Sequence, residues 1–295
     1  LNHIFKDRYG AIWTASDRGI TLVHPTRFQP LIYPTEVKVT NNLALGRDGN
    51  LYAAVENRLY RINETNAHIE FENIASVPDD NIWSIAQSGN RLWTGTDRGK
   101  IYYWRDNRMQ SIHLQSPSSR INKAVFNMIP DPVGNGIFAI LDQTQGLFRI
   151  DEVGNKTHLK EPFLASEQIL SIQSTDYGEL YATARQQIPR IYHFNREKET
   201  FEAISIPVDT VSAEDIYFFH DFHSPRENLF YLLSTRGILE LKIDGGQKQV
   251  RWIREFGGLD FELSRSIYAT SPENIIVGAE NGIFELNHGD FIRYN

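Results

Sequence analysis

The sequence predicts an all-β fold built from repeated four-stranded sheets, and three observations predict it. The first is repetition: GAIWTASDRGITLVHP at 10–25 returns at 90–104 as NRLWTGTDRGKIYYW. The second is spacing. Short apolar strands centred on Trp13, Tyr52, Trp93, Phe138, Tyr181, Phe230 and Ile276 follow one another at intervals of 39, 41, 45, 43, 49 and 46 residues. A period in that range marks a repeat architecture. The third is composition, since 12% of the 295 residues are Phe, Trp or Tyr, and rings with β-branched neighbours favour strands over helices.

Each unit divides in the same order. A leading run such as LNHIFKD, NIWSIAQ, QILSIQS or DIYFFHD comes first. A tight-turn cluster follows, as in Arg8-Tyr9-Gly10, Asp48-Gly49-Asn50, Ser88-Gly89-Asn90 or Gly134-Asn135-Gly136. Gly, Asn and Asp supply the positive-φ positions that hairpin turns need. The strand with the large apolar centre comes next, and then a second turn at Gly19, Gly99, Gly146, Gly237 or Gly282. A third strand (ITLVHP, KIYYW, LFRI, ILELKI, IFELN) and a weaker fourth (MQSIHL, THLKEPF, FEAISI, FIRYN) complete the unit.

Four short antiparallel strands per unit, repeated seven times, give a seven-bladed β-propeller of four-stranded blades as the expected fold. It is expected to occupy 1–295 as one domain, a segment of a longer protein, because LNHIFKDRYG is neither Met-initiated nor signal-like. A solenoid of stacked hairpins is the rival, but its units are usually shorter and it needs end caps that the sequence does not show. The chain is expected to begin on an inner strand and end on an outer one, with each blade complete. The seven centres are expected to be blade core, because aromatic rings bury the most area per residue.

Composition narrows the function classes. Net charge is −7, which disfavours a nucleic-acid partner, whose phosphates need a basic face. There is no cysteine, and with it go disulfides, thiolate metal sites and cysteine nucleophiles. No stretch of 18 apolar residues occurs, so no membrane contact is expected within this segment.

At these repeats the chain resembles the two-component regulator propeller repeat family, whose pattern is I-x-x-D-x-x-G-x-I/L-W-x-G/A-T/S-x-x-G-L/I. IFKDRYGAIWTASDRGITLV at 4–23 matches it, and SIAQSGNRLWTGTDRGKIYYW at 84–104 matches its second half. Later copies drift, with Ile276 in place of the Trp and Gln186-Gln187-Ile188-Pro189 where a Gly turn would stand. The resemblance implies the periplasmic or extracellular sensor domain of a hybrid two-component histidine kinase. It further implies neighbouring propeller and signalling domains in the parent chain, and an oligosaccharide as ligand.

No constellation in the sequence announces a chemistry. No G-x-S-x-G elbow accompanies the nine histidines, and a nucleophilic triad needs nucleophile, base and orienting acid together. His220-Asp221-Phe222-His223 is the best local candidate for a metal, but successive side chains of a strand point to opposite faces. No metal and no cofactor is therefore expected. Asp79-Asp80 and Glu214-Asp215 are paired carboxylates on loops, which need not converge as glycosidase acids do.

One feature is not explained by packing. Arginine recurs in the second turn of the unit: Arg18, Arg58, Arg98 and Arg236, with Arg185 nearby in a fifth unit. Guanidinium groups grip carboxylates and sulfates bidentately. These arginines are the expected ligand-binding residues, for a uronic-acid-containing or sulfated oligosaccharide. Asp17, Asp79, Asp80, Asp97, Glu167, Asp215, Asp260 and Glu262 stand beside them or on loops expected at the same face, and would temper that field. The expected function is a non-enzymatic carbohydrate sensor. A protein-interaction scaffold is the alternative, and a propeller lyase with a His, a Glu and a metal at a central mouth is a further one.

Overall fold

A computed structural model describes residues 3–6, 12–16, 19–24, 27–31, 40–46, 49–64, 69–78, 80–105, 108–114, 123–142, 146–159, 168–175, 177–185, 190–207 and 219–294. The chain divides into two compact units, 2–158 and, with Leu1, 159–295. Every sheet in both units has four strands, antiparallel and hydrogen-bonded in simple chain order. That is the order successive hairpins produce, and Gly99 at φ +72° shows why the DRG turn ends in glycine.

In the unit 2–158, four sheets cover 3–31, 40–76, 82–113 and 125–159. The second strands Leu51–Val55 and Ile137–Leu141 are buried at every position. A strand packed on both faces reads as an unbroken apolar run, which accounts for LYAAV and IFAIL. By contrast the fourth strand Arg108–His113 is almost wholly exposed. The cores lie between neighbouring sheets. Trp93, Ile101 and Tyr103 of one sheet meet Val125, Met128, Ala139 and Phe148 of the next, and the Trp93 and Tyr103 rings stack at 4.6 Å. Tyr52, Ala54 and Leu59 meet Ile82, Ile85 and Tyr102 in the same manner.

In the unit 159–295, three sheets cover 168–205, 221–253 and 264–294. Tyr181, Ile191 and Ile206 pack against Phe222, Phe230, Leu232 and Leu239. Tyr231, Leu233 and Ile238 pack against Ile267, Ile275, Val277 and Phe284. All seven strand centres, Trp13, Tyr52, Trp93, Phe138, Tyr181, Phe230 and Ile276, are buried, and each lies on the second strand of its sheet.

The expected count of seven blades is corrected. Six four-stranded blades, covering 40–294 in the two units, are described with their packing along the strands. The N-terminal sheet over 3–31 is defined by its hydrogen bonds. Of its interior, Trp13, Ala15, Ile20 and Leu22 join the core of the sheet 40–76. A sequence period registers turns and strand centres and does not by itself count the blades of the fold.

Gly95 shows how closely neighbouring sheets approach. A Cβ there would lie 2.5 Å from both Ser84 Oγ and Val125 Cγ1, the latter on the adjoining sheet. Gly95→Ala is expected to lower stability by roughly 1–3 kcal/mol through overpacking. Thermal unfolding followed by circular dichroism checks this, and an unchanged midpoint would show that the sheets part without cost.

Candidate functional site

The first strand of each sheet has one partnered edge and one free edge. Its free backbone groups must find hydrogen bonds elsewhere once they are removed from water. Side chains of a neighbouring sheet supply several of them. Asn41 Nδ2 donates to Ile82 O at 2.7 Å, and Ser84 Oγ donates to Val125 O at 2.7 Å. In the other unit, Thr183 Oγ1 donates to Phe219 O at 2.9 Å, Ile267 N donates to Asp221 Oδ2 at 2.9 Å, and Ala269 N donates to His223 Nδ1 at 3.3 Å.

A β-bulge recurs near the start of these first strands. Pairing skips one residue at Asn41, Trp83, Phe126, Leu170 and Arg265. A bulge sets two residues against one and re-aims the extra side chain. Asn41 is used to tie the next sheet, and Leu170 is buried. Arg265 donates to Ser264 O at 2.9 Å and Glu262 O at 3.2 Å, and pairs with Glu280. Trp83 and Phe126 are each 40% exposed.

Second-strand turns lie at the same end of the sheet as these bulges. Asp97 N donates to Asn81 O at 3.0 Å, and Asp142 N donates to Ala124 O at 2.8 Å. Asp97 also accepts from Asn81 N at 3.1 Å and Asn81 Nδ2 at 2.9 Å. Lys123 Nζ lies 3.5 Å from Asp142.

The sequence-selected arginines fall as follows. Arg18 lies outside the described residues, as do Asp79, Glu167 and Asp215. Arg98 Nε is 3.5 Å from Asp80, whose carboxylate is inaccessible and also meets Lys100 Nζ at 3.0 Å and Tyr102 Oη at 3.4 Å. The bond to Asp80 holds the Lys100 ammonium above its ordinary range. Arg58 is exposed, with Nη1 3.5 Å from the Tyr60 hydroxyl. Arg236 is exposed in its turn, its backbone N–H donating to Ser234 Oγ at 3.3 Å. Arg185 is exposed at the end of Leu180–Arg185.

The His220-Asp221-Phe222-His223 stretch forms a link between sheets. The half-buried Asp221 accepts from Ser171 Oγ at 3.3 Å and from Gln173 Nε2 on one neighbouring strand, and from Ile267 N on the other. Burial pushes its carboxyl up to about 7, against those donors. Burial likewise pushes the His220 imidazole down to about 4, assisted by the Arg265 charge and opposed by Ser264. Among the described residues no group of three or more His, Cys, Asp or Glu side chains could hold a metal ion.

Sequence reasoning missed the two exposed bulge aromatics. NIWSIAQ reads only as the leading run of its unit, because period-2 alternation carries no mark of an inserted residue.

No family model matches the chain, and no curated protein matches it. Solved structures do. Virginiamycin B lyase from Staphylococcus aureus aligns over 94% of this chain and 90% of its own, with 16% identity and a TM-score of 0.68. The Neurospora crassa Pan2 WD40 domain aligns over 94% and 85%, with 10% identity and a TM-score of 0.62. The extracellular domain of a hybrid two component system from B. thetaiotaomicron aligns over 100% and 52%, with 13% identity and a TM-score of 0.48. WD40 domains are β-propellers, and the chain has that fold. At such identities the likeness is one of fold, and fold does not imply activity. No helix among the described residues is long and apolar enough to cross a membrane.

The Asp221 and His220 shifts give opposed pH dependences. A carboxyl raised from 3.8 to about 7 contributes stability that is complete below 3.8 and lost as pH rises to about 7. An imidazole lowered from 6.5 to about 4 contributes stability that is complete above 6.5 and lost as pH falls to about 4. Asp221→Asn removes the first dependence alone. The stability of the wild type relative to this variant is expected to fall between about pH 4 and pH 7 and then level off. Denaturant titrations across that range check it, and a flat difference would show that the carboxyl does not titrate there.

Proposed function

We propose that this chain is a non-enzymatic, extracytoplasmic sensor propeller that recognises a carbohydrate fragment on behalf of a two-component signalling protein. The observation that carries the reading is the bulge register. It turns Trp83 and Phe126 toward solvent on neighbouring first strands, at the end of the sheet where Asn81, Asp97 and Arg98 gather polar groups. An apolar surface edged by charged and amide groups suits a ligand that is itself part apolar and part hydroxylated. The repeat resemblance at 4–23 and 84–104 supports the signalling context. Arg58 and Arg236, exposed on the turns of their own sheets, are the proposed contacts for acidic sugar residues, and Arg98 shares its guanidinium with Asp80.

A scaffold role is the second reading, favoured by apolar residues exposed on outer strands: Ile74, Met109, Phe291 and Ile292.

Calorimetric titration with defined neutral and acidic hexasaccharides, at low and high salt, separates the readings. Heat of binding to at least one hexasaccharide without release of shorter products is the expected result. Salt-sensitive binding of hexagalacturonate that Arg58→Ala weakens would assign the acidic contact. Absence of binding across the panel would overturn the carbohydrate reading in favour of the scaffold, and product release would overturn the non-enzymatic one.

A further inference from the structure

We infer that Trp83 and Phe126 form a stacking platform for the pyranose rings of a saccharide, an assignment that rests on the carbohydrate reading and gives it a site. Among the exposed large apolar side chains of the described residues, these are the two aromatics carried by first strands. Both occupy the bulge position, where the extra residue is freed from the alternating faces of the sheet.

The backbones that carry them are fixed to one another. Ser84, next to Trp83, donates through Oγ to the carbonyl of Val125, which precedes Phe126. Ile82, which precedes Trp83, accepts from Asn41 Nδ2. The rings are therefore held on strands joined by hydrogen bonds, and little order remains to be imposed when a ligand arrives. Asn81, two residues before Trp83, and Asp97 are joined by reciprocal hydrogen bonds. Lys123 and Asp142 flank the strand of Phe126.

The chemistry selects the ligand class. One face of a pyranose ring presents C–H groups that lie flat on the negative face of an aromatic ring. Its hydroxyls project sideways, where amide, carboxylate and ammonium groups meet them. A single-stranded nucleic acid also stacks on aromatics, but it requires a basic track along its backbone. The chain's net charge of −7 opposes that. An acyl chain would want a continuous apolar trough, and here the two strands begin next to the polar Asn81–Asp97 and Lys123–Asp142 contacts.

The test uses calorimetry and intrinsic tryptophan fluorescence on the intact chain, with cellohexaose, maltohexaose, mannohexaose, xylohexaose and hexagalacturonate as probes. At least one hexasaccharide is expected to bind and to change the emission of the wild type. Trp83→Ala and Phe126→Ala should each weaken that binding on the order of tenfold, the scale of stacking on a single aromatic. Trp83→Phe should restore most of the affinity while losing most of the fluorescence change, and Val153→Ala, on a remote exposed turn, should leave both as they were. Matching thermal midpoints establish that the variants are folded, and Trp83→Phe keeps the test open should an alanine variant fail to fold. Binding that neither ring variant weakens would overturn the platform and leave carbohydrate recognition standing. Failure of every hexasaccharide to bind would overturn both.

Discussion

The structure depends on how the free edge of each first strand is satisfied. A four-stranded sheet with one edge turned inward presents backbone N–H and C=O groups that water cannot reach freely, and each one left bare would cost on the order of 1–3 kcal/mol. Side chains of the neighbouring sheet meet that demand: Asn41 and Ser84 toward carbonyls, Asp221 and His223 toward amides. Packing alone would hold two sheets together in many registers. A hydrogen bond from a defined side chain to a defined backbone atom selects one, and so sets the position of everything carried on those strands.

Asp221 is the most demanding of these contacts, because one half-buried carboxyl serves two neighbouring strands. Burying an ionised group is costly unless donors surround it. Here the donors are neutral, a hydroxyl, an amide and a backbone N–H, and the carboxyl settles between its charged and uncharged forms near neutrality. Asp80 shows the opposite solution, its carboxylate inaccessible and met by the cations Lys100 and Arg98. The two acids explain why sequence position alone did not separate structural from ligand-facing charge: the environment of each is made by residues far away in the chain.

Much of the fold was legible beforehand. The turn clusters, the four-strand order within each unit and the burial of Trp13, Tyr52, Trp93, Phe138, Tyr181, Phe230 and Ile276 follow from local signals, since hairpins are made by neighbours in sequence. The blade count was not legible, because a period reports strands and turns and does not by itself count blades. The candidate site was legible only in part. Arg98 could be seen, and its commitment to Asp80 was foreshadowed by the expectation that acidic loops share its end of the sheet. The aromatic pair stayed hidden, because a bulge arises from pairing between strands, and Trp83 in NIWSIAQ looks like any other core ring until that pairing is known.

The recurrent bulge also bears on how such a chain can change over generations. Where the inserted residue faces solvent, as at Trp83 and Phe126, its identity is uncoupled from the tightly packed interior, whereas Leu170 is buried and Asn41 ties the next sheet. The five positions already hold Asn, Trp, Phe, Leu and Arg, a spread of chemistries that no core position in these strands shows. An exposed bulge is thus a socket in which a new side chain can be tried at small risk to folding. A protein so built can acquire a different ligand preference by exchanging two or three residues, while the scaffold beneath them keeps its sequence.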